Sequence, residues 1–398
     1  MARILLAWEL GTTLGHLGRL SLLGRELRAR GHEPVFVMRT LQYADDLLGR
    51  HGFRYLQAPV WPRVAESKSP PLNYSEILQR AGFLDHGGLL CMVKAWRELF
   101  GLIVPDVIVL DHAPTALLAA HGTGIPRALY GSGFCSPPRE YPFPSMHPRL
   151  TVPEETLKQS DDRVLDCVNK ALSLLSGRPL ERLCDLFDVE EDLLCTFPEL
   201  DHYSHRESAD YCGPAFAHDL GVEPNWRSNS DKRIFGYLQP STPNLEKLLA
   251  ALSALDHEFL WVIPNIAPEL KQRFEAPRFR FSEELCKMER VTQQVDIAIT
   301  NAGHGTTAAL LLGGIPLLLL PRHVEQYLVA RNVNRLGAGL VLENITSESD
   351  YVRAVERLAD GTACSTAAEA FAHKYAEFTS QKQLAVTAER IERLLGAK

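Results

Sequence analysis

The sequence lacks several features that would settle its class at once. No apolar run reaches the roughly 18 residues, free of Gly and Pro, that a membrane-spanning helix needs, so no transmembrane segment is expected. No cysteine pair has C-x-x-C spacing. The eight cysteines occur singly, which excludes a zinc ribbon or a disulfide framework and suits reduced, buried thiols in a cytoplasmic protein. Basic residues are not in excess: 42 Lys and Arg against 49 Asp and Glu give a net charge of −7, so nucleic acid is not an expected partner. The opening residues, MARILLAWELGTTLGH, lack the length and small-residue cleavage site of a secretory leader. There is no GxxxxGK[ST] phosphate loop and no D-x-D pair to hold a metal. Gly11, Gly15 and Gly18 are spaced G-x3-G-x2-G, not the GxGxxG of dinucleotide-binding proteins.

What is present is an alternation of strand and helix signals. Arg3–Trp8 is a short apolar run. Leu17, Leu20, Leu23 and Leu27 then recur at helical spacing, with Arg19, Arg25, Glu26, Arg28 and Arg30 on the other faces. Gly31 ends that helix and Pro34–Met38 starts another strand, which makes a βαβ unit and implies a parallel sheet. Further strands are expected at 105–110 and 127–130, with a helix at 114–120 between them. Residues 151–200 read as mainly helical. A second series begins at 233: strands at 233–238, 259–263, 279–281, 295–300 and 316–320 alternate with helices, and 365–395 are helix formers. At 398 residues two domains are the default. We expect an acceptor-binding domain over 1–205, a linker over 206–230, a second doubly wound domain over 231–375, and a last helix, 376–398, packing back toward the first domain. Two Pro-rich stretches, 58–71 and 136–148, are long for connections, and such loops are often functional.

The stretch TNAGHGTTAALLLGGIPLLLLP, 300–321, carries the most chemistry. A strand delivers the chain to a turn; Ala302, Gly303 and Gly305 allow close backbone approach, and a helix beginning near Thr306 points free amides and its positive dipole end at the turn. Thr306 and Thr307 add hydroxyls. The arrangement suits a diphosphate without a lysine or a metal, although a plain Thr-capped helix would have the same pattern. Elsewhere, His16 sits at the strand-to-helix turn of the first βαβ unit, and Asp111 ends a strand that joins the same sheet. A histidine there suits a general base and an aspartate can orient it; a helix-capping role is open for both.

The extended stretch TNAGHGTTAALLLGGIPLLLLPRHVEQYLVARNVNRLGAGLVL resembles the nucleotide-sugar signature of family 1 glycosyltransferases, the group that includes macrolide and plant secondary-metabolite transferases. Ala302–Thr306, Gly314-Ile315-Pro316, Pro321, Glu325-Gln326, Ala330 and Gly337-Ala338-Gly339 fall in register with it, and GHLGRLSLLGRELRARGHEPVFV near the start is similar to the family's GH element. The resemblance implies a GT-B fold, two Rossmann-like parallel-sheet domains facing a central cleft. It implies an inverting, metal-independent hexosyltransferase of natural-product type. The donor is then a UDP- or dTDP-sugar, the acceptor a hydroxyl of a small or lipid-like molecule, and no cofactor is needed; the enzyme is a cytoplasmic monomer or homodimer. By the same resemblance His16 is the base and Asp111 its partner. Asn301, Gly303, His304, Gly305, Thr306 and Thr307 take the diphosphate, Glu325 and Gln326 take the sugar hydroxyls, and Leu285 packs the base. Asn301 stands where the family has a histidine, and FSEELCKMERV (281–291) lacks the family's W-x-P-Q. A nucleotide-sugar epimerase or hydrolase of the same architecture, or an auxiliary protein without activity, are the alternatives.

Overall fold

The computed structural model describes the chain except residues 12–13, 62–68, 204–205, 207, 217–220, 228–231, 344, 346, 362 and 397–398. Much of the 58–71 stretch and parts of the expected linker lie outside the described residues. The described chain forms two compact units. The first comprises Met1–Pro198, Tyr203–Ala215 and Thr379–Lys398; the second comprises Glu199–His202 and Phe216–Phe378.

The first unit holds a sheet of six parallel strands: β1 (Arg3–Trp8), β2 (Glu33–Met38), β3 (Arg54–Gln57), β4 (Val107–Asp111), β5 (Arg127–Gly131) and β6 (Glu191–Leu194). Their spatial order is β3-β2-β1-β4-β5-β6. Strands β1 and β4 are buried almost throughout, as central strands of a parallel sheet covered on both faces must be, which is why RILLAW and VIVLD are near-continuous apolar runs. The helix Leu14–Ala29 crosses from β1 to β2. The last helix, Ser380–Leu395, packs on it and on β4 and β6. Ion pairs hold that last helix to its unit: Glu392 meets Arg30 Nη1 and His32 Nε2, each at 2.9 Å, and Arg390 meets Glu191 and Asp210.

The second unit repeats the design with β7 (Arg233–Tyr237), β8 (Glu258–Val262), β9 (Phe279–Ser282), β10 (Ile297–Thr300), β11 (Leu317–Leu319) and β12 (Gly339–Val341). All its ladders are parallel, in the order β12-β11-β10-β7-β8-β9. Trp261, Phe259, Ile299 and Leu318 belong to its core.

Several readings of the sequence differ from this. Residues 151–200 contain one long helix, Glu154–Leu174, and then strand β6, not a mainly helical segment. The interval 206–230 is divided between the units. Cys212 N bonds Leu194 O at 2.9 Å on the first sheet's edge, while Val222 N bonds Leu285 O at 2.8 Å in the second. Backbone pairing thus claims both ends of what composition alone presents as a linker.

Candidate active site

In both sheets the strand order reverses direction between two central neighbours, β1 and β4 in the first unit and β7 and β10 in the second. Open α/β sheets bind ligands outside the carboxyl ends of the strands at such points.

In the first unit Trp8 and Asp111, the last residues of β1 and β4, lie side by side in register. The chain leaves β1 through Glu9, Leu10 and Gly11 and enters the helix that carries His16. His16 Nδ1 stands 3.0 Å from Asp111 Oδ2. A carboxylate only accepts, so Nδ1 carries a proton, and in the neutral ring the lone pair is then on Nε2. The imidazole stacks on Trp8, with centroids 5.3 Å apart and planes 15° off parallel. A Cβ built on Gly11, whose φ is +88°, would stand 2.5 Å from Nε2, so a side chain here would strain the turn and push the imidazole from its place.

The Asp111 side chain is fully buried, and Arg19 Nη2 donates to both its oxygens, at 2.6 and 2.7 Å. Burial alone would raise the carboxyl's pKa; the charges of Arg19 and His16 overcome that and hold it well below the usual carboxylate range. Arg19 Nη2 also lies 3.4 Å from His16 Nδ1, a weak approach of two donors in this tautomer. His112 follows with a left-handed backbone, φ +48°, and its carbonyl accepts from Leu10 N at 2.9 Å. Burial, and then the charge of His16, push the His112 imidazole down to about 3, so it is neutral near pH 7. Glu9 is also buried: it accepts from Trp96 Nε1 at 2.5 Å and from the backbone N–H of Thr115 and Ala116 at 2.7 and 3.2 Å. These bonds tie the turn after β1 to the helix after β4. Burial pushes the Glu9 carboxyl up to about 7 against those hydrogen bonds.

In the second unit β10 runs into Asn301. The Asn301 side chain joins the carboxyl ends of three neighbouring strands. Its Oδ1 accepts from Gln239 N at 2.8 Å, after β7, and its Nδ2 donates to Leu320 O at 2.8 Å, after β11, and to Thr242 Oγ1 at 3.1 Å. The sequence reading gave this amide to a phosphate; the structure engages both its halves within the unit, because three parallel strand ends leave backbone groups there that need partners. The helix starts at His304, two residues earlier than expected, and Gly303 gives it no side-chain cap. The first-turn amides of His304, Gly305 and Thr306 therefore have no intrahelical carbonyl to bond. A Cβ at Gly303 or Gly305 would meet nothing within 4 Å, so the space over both glycines is open. Thr306 is half-buried in that first turn. Thr307 is buried, and its Oγ1 has no hydrogen-bond partner among the described residues. His304 packs beside His202, their rings 5.7 Å apart.

Glu325 and Gln326 open the helix Val324–Leu336, and Gln326 Oε1 accepts from Arg322 N at 3.0 Å, closing that helix's own entrance. Leu285 is half-buried, and its carbonyl is taken by Val222 N. Among the described residues no cluster of His, Cys, Asp and Glu is placed to hold a metal ion, and no helix is long and apolar enough to cross a membrane. Sequence reasoning missed Gly11, Glu9 and Arg19. The usable signal for Arg19 was its place three residues after His16, on the same helix face.

Comparison with known proteins agrees with this architecture. Residues 246–391 match the family model described as erythromycin biosynthesis protein CIII-like, C-terminal domain. A PGL/p-HBAD biosynthesis rhamnosyltransferase of Mycobacterium bovis (strain BCG / Pasteur 1173P2) is 25% identical over 393 residues, covering 90% of this chain and 84% of the relative. Among solved structures, the glycotransferase of kitacinnamycin superposes with a TM-score of 0.75 at 20% identity, covering 99% of each chain. The glycosyltransferase VinC in complex with DTDP superposes with a TM-score of 0.71 at 17% identity, covering 100% of each. The fold is GT-B. The protein is a glycosyltransferase, and it resembles the family 1, macrolide-type enzymes.

Proposed function

We propose that the protein moves a hexose from a nucleoside-diphosphate sugar to a hydroxyl of a small or lipid-like acceptor, with inversion at the anomeric carbon. The observation that carries the reading is the His16–Asp111 pair at the first sheet's switch point, with Nδ1 facing the carboxylate. An alcohol is a poor nucleophile at neutral pH, and a histidine held in one tautomer by a carboxylate is suited to take its proton. His16 Nε2 accepts the acceptor's proton as the acceptor oxygen bonds to the anomeric carbon. The bond from that carbon to the diphosphate oxygen breaks in the same displacement, and the imidazolium formed is stabilised by Asp111.

The leaving diphosphate gathers negative charge. The first-turn amides of Gly305 and Thr306, the Thr306 hydroxyl and the helix dipole are oriented beforehand to receive it. The open space over Gly303 and Gly305 leaves room for an anion there. Glu325 and Gln326 are assigned to the sugar hydroxyls and Leu285 to the base, on the resemblance alone. Thymidine diphosphate is the preferred nucleotide, supported by the VinC complex, and a 6-deoxyhexose such as rhamnose by the name of the mycobacterial relative.

The test is to offer dTDP- and UDP-sugars with a panel of hydroxylated aromatic, macrocyclic and lipid acceptors. Glycoside formation is followed by mass spectrometry, and the product's anomeric configuration by NMR. A glycoside of inverted configuration is expected. A retained configuration contradicts the single displacement, and sugar isomerisation or hydrolysis without a glycoside favours an epimerase or hydrolase.

A further inference from the structure

A carboxylate as buried as Asp111 tends to hold its own proton. Protonated, it would no longer stabilise an imidazolium on His16. Arg19 is the group that opposes this. It lies one helical turn beyond His16, and its Nη2 bonds both carboxylate oxygens within 2.7 Å. A guanidinium stays charged at every working pH.

We propose that Arg19 is a positioning residue of the pair, holding Asp111 ionised and turned toward His16 Nδ1 and so setting the pH at which Nε2 becomes available as a base. The proposal rests on His16 acting as the base. Other titratable groups face the trio from the surrounding elements: His112 after β4, Tyr130 on β5 with its ring 5.8 Å from Arg19 Cζ, Cys135 after β5, Cys195 after β6, and Arg39 after β2. Burial pushes Tyr130 and Cys195 well up, and His112 is held down to about 3. These three therefore keep one charge state across roughly pH 5–9.

The competent state has Asp111 ionised and His16 neutral. Removing the fixed positive charge makes that pair bind a proton more tightly, on whichever member the proton settles. The direction of the effect is therefore independent of the site assignment. An opposite charge at this range is worth about one to three pH units.

The experiment compares wild type, Arg19→Gln, Arg19→Met and Arg19→Lys. It records the pH dependence of kcat/KM for transfer from a dTDP-sugar, and titrates the His16 imidazole by NMR, with His16→Ala to assign the resonance. Melting temperature and dTDP affinity report on folding, and either neutral variant suffices if the other fails to fold. The acid limb and the imidazole midpoint should both move to higher pH by about one to three units in the neutral variants, with turnover recovering at high pH. Arg19→Lys, which keeps the charge, should return both toward wild type. A limb and midpoint that stay in place while turnover falls uniformly would overturn the proposal, as would Arg19→Lys moving them as far as Arg19→Gln. If instead His16→Ala turns over normally while the midpoint still moves in Arg19→Gln, the electrostatic link stands and the assignment of the base fails.

Discussion

A single methyl group is enough to test the corner that carries His16. A Cβ at position 11 would stand 2.5 Å from Nε2, on a backbone with φ +88° that side chains rarely adopt. Gly11→Ala should therefore reduce turnover by about 10²-fold or more, as small displacements of catalytic groups do. The dTDP affinity of the second unit should be unchanged by calorimetry, and wild-type turnover would refute the placement. The positions of His16 and Asp111 at one end of the first sheet were legible, because each lies at or just beyond the carboxyl end of an apolar run, while the roles expected of them came from the family resemblance. Arg19 was not legible. Its helix reads as one apolar stripe with charged residues elsewhere, and burial of a charge opposite a single carboxylate is a tertiary event that periodicity does not register. Glu9 escaped for the same reason: three donors from distant positions in the chain, Trp96, Thr115 and Ala116, explain why a carboxyl is buried after β1.

The turn from β10 into the helix His304–Leu312 works as one element, and its parts should respond differently to substitution. Asn301→Ala leaves Gln239 N and Leu320 O without their partner at a buried point. A loss of about 2–4 kcal/mol of stability is expected, from two unsatisfied groups at about 1–2 kcal/mol each. Chemical denaturation measures it, and a stability within 0.5 kcal/mol of wild type, roughly the scatter of neutral surface substitutions, would contradict the bracing role. Thr306→Val should leave stability nearly unchanged and weaken dTDP binding by about 1.5–3 kcal/mol, the usual worth of a hydrogen bond to a charged group. Unchanged affinity would remove Thr306 from the anion site. The strand-turn-helix order of this element was plain in TNAGHGTT, whereas the function of Asn301 was not, because the partners of its amide come from β7 and β11. The short strands β3, β6 and β12, of three or four residues each, also went unread. Strands so short carry too little alternation to stand out, and their neighbours in the sheet decide them.

Across the whole molecule, two sheets share one strand order, and each presents its candidate chemistry at the carboxyl ends where that order reverses. The alternation of strand and helix signals made two doubly wound domains readable, and the long motif at 300–342 pointed to a glycosyltransferase. The return of the last helix to the first unit was expected at 376 and falls at 379, whereas composition does not mark the earlier passages at 198/199, 202/203 and 215/216. In the function proposed above, the first unit supplies the base and the second binds the nucleotide. The most direct measurement compares wild type with His16→Ala, following nucleoside diphosphate release in the presence of an accepted hydroxyl compound alongside calorimetric dTDP affinity. Turnover in His16→Ala should be lower by about 10²–10⁴-fold, with dTDP affinity unaltered. Near-normal turnover in that variant would contradict this division of roles.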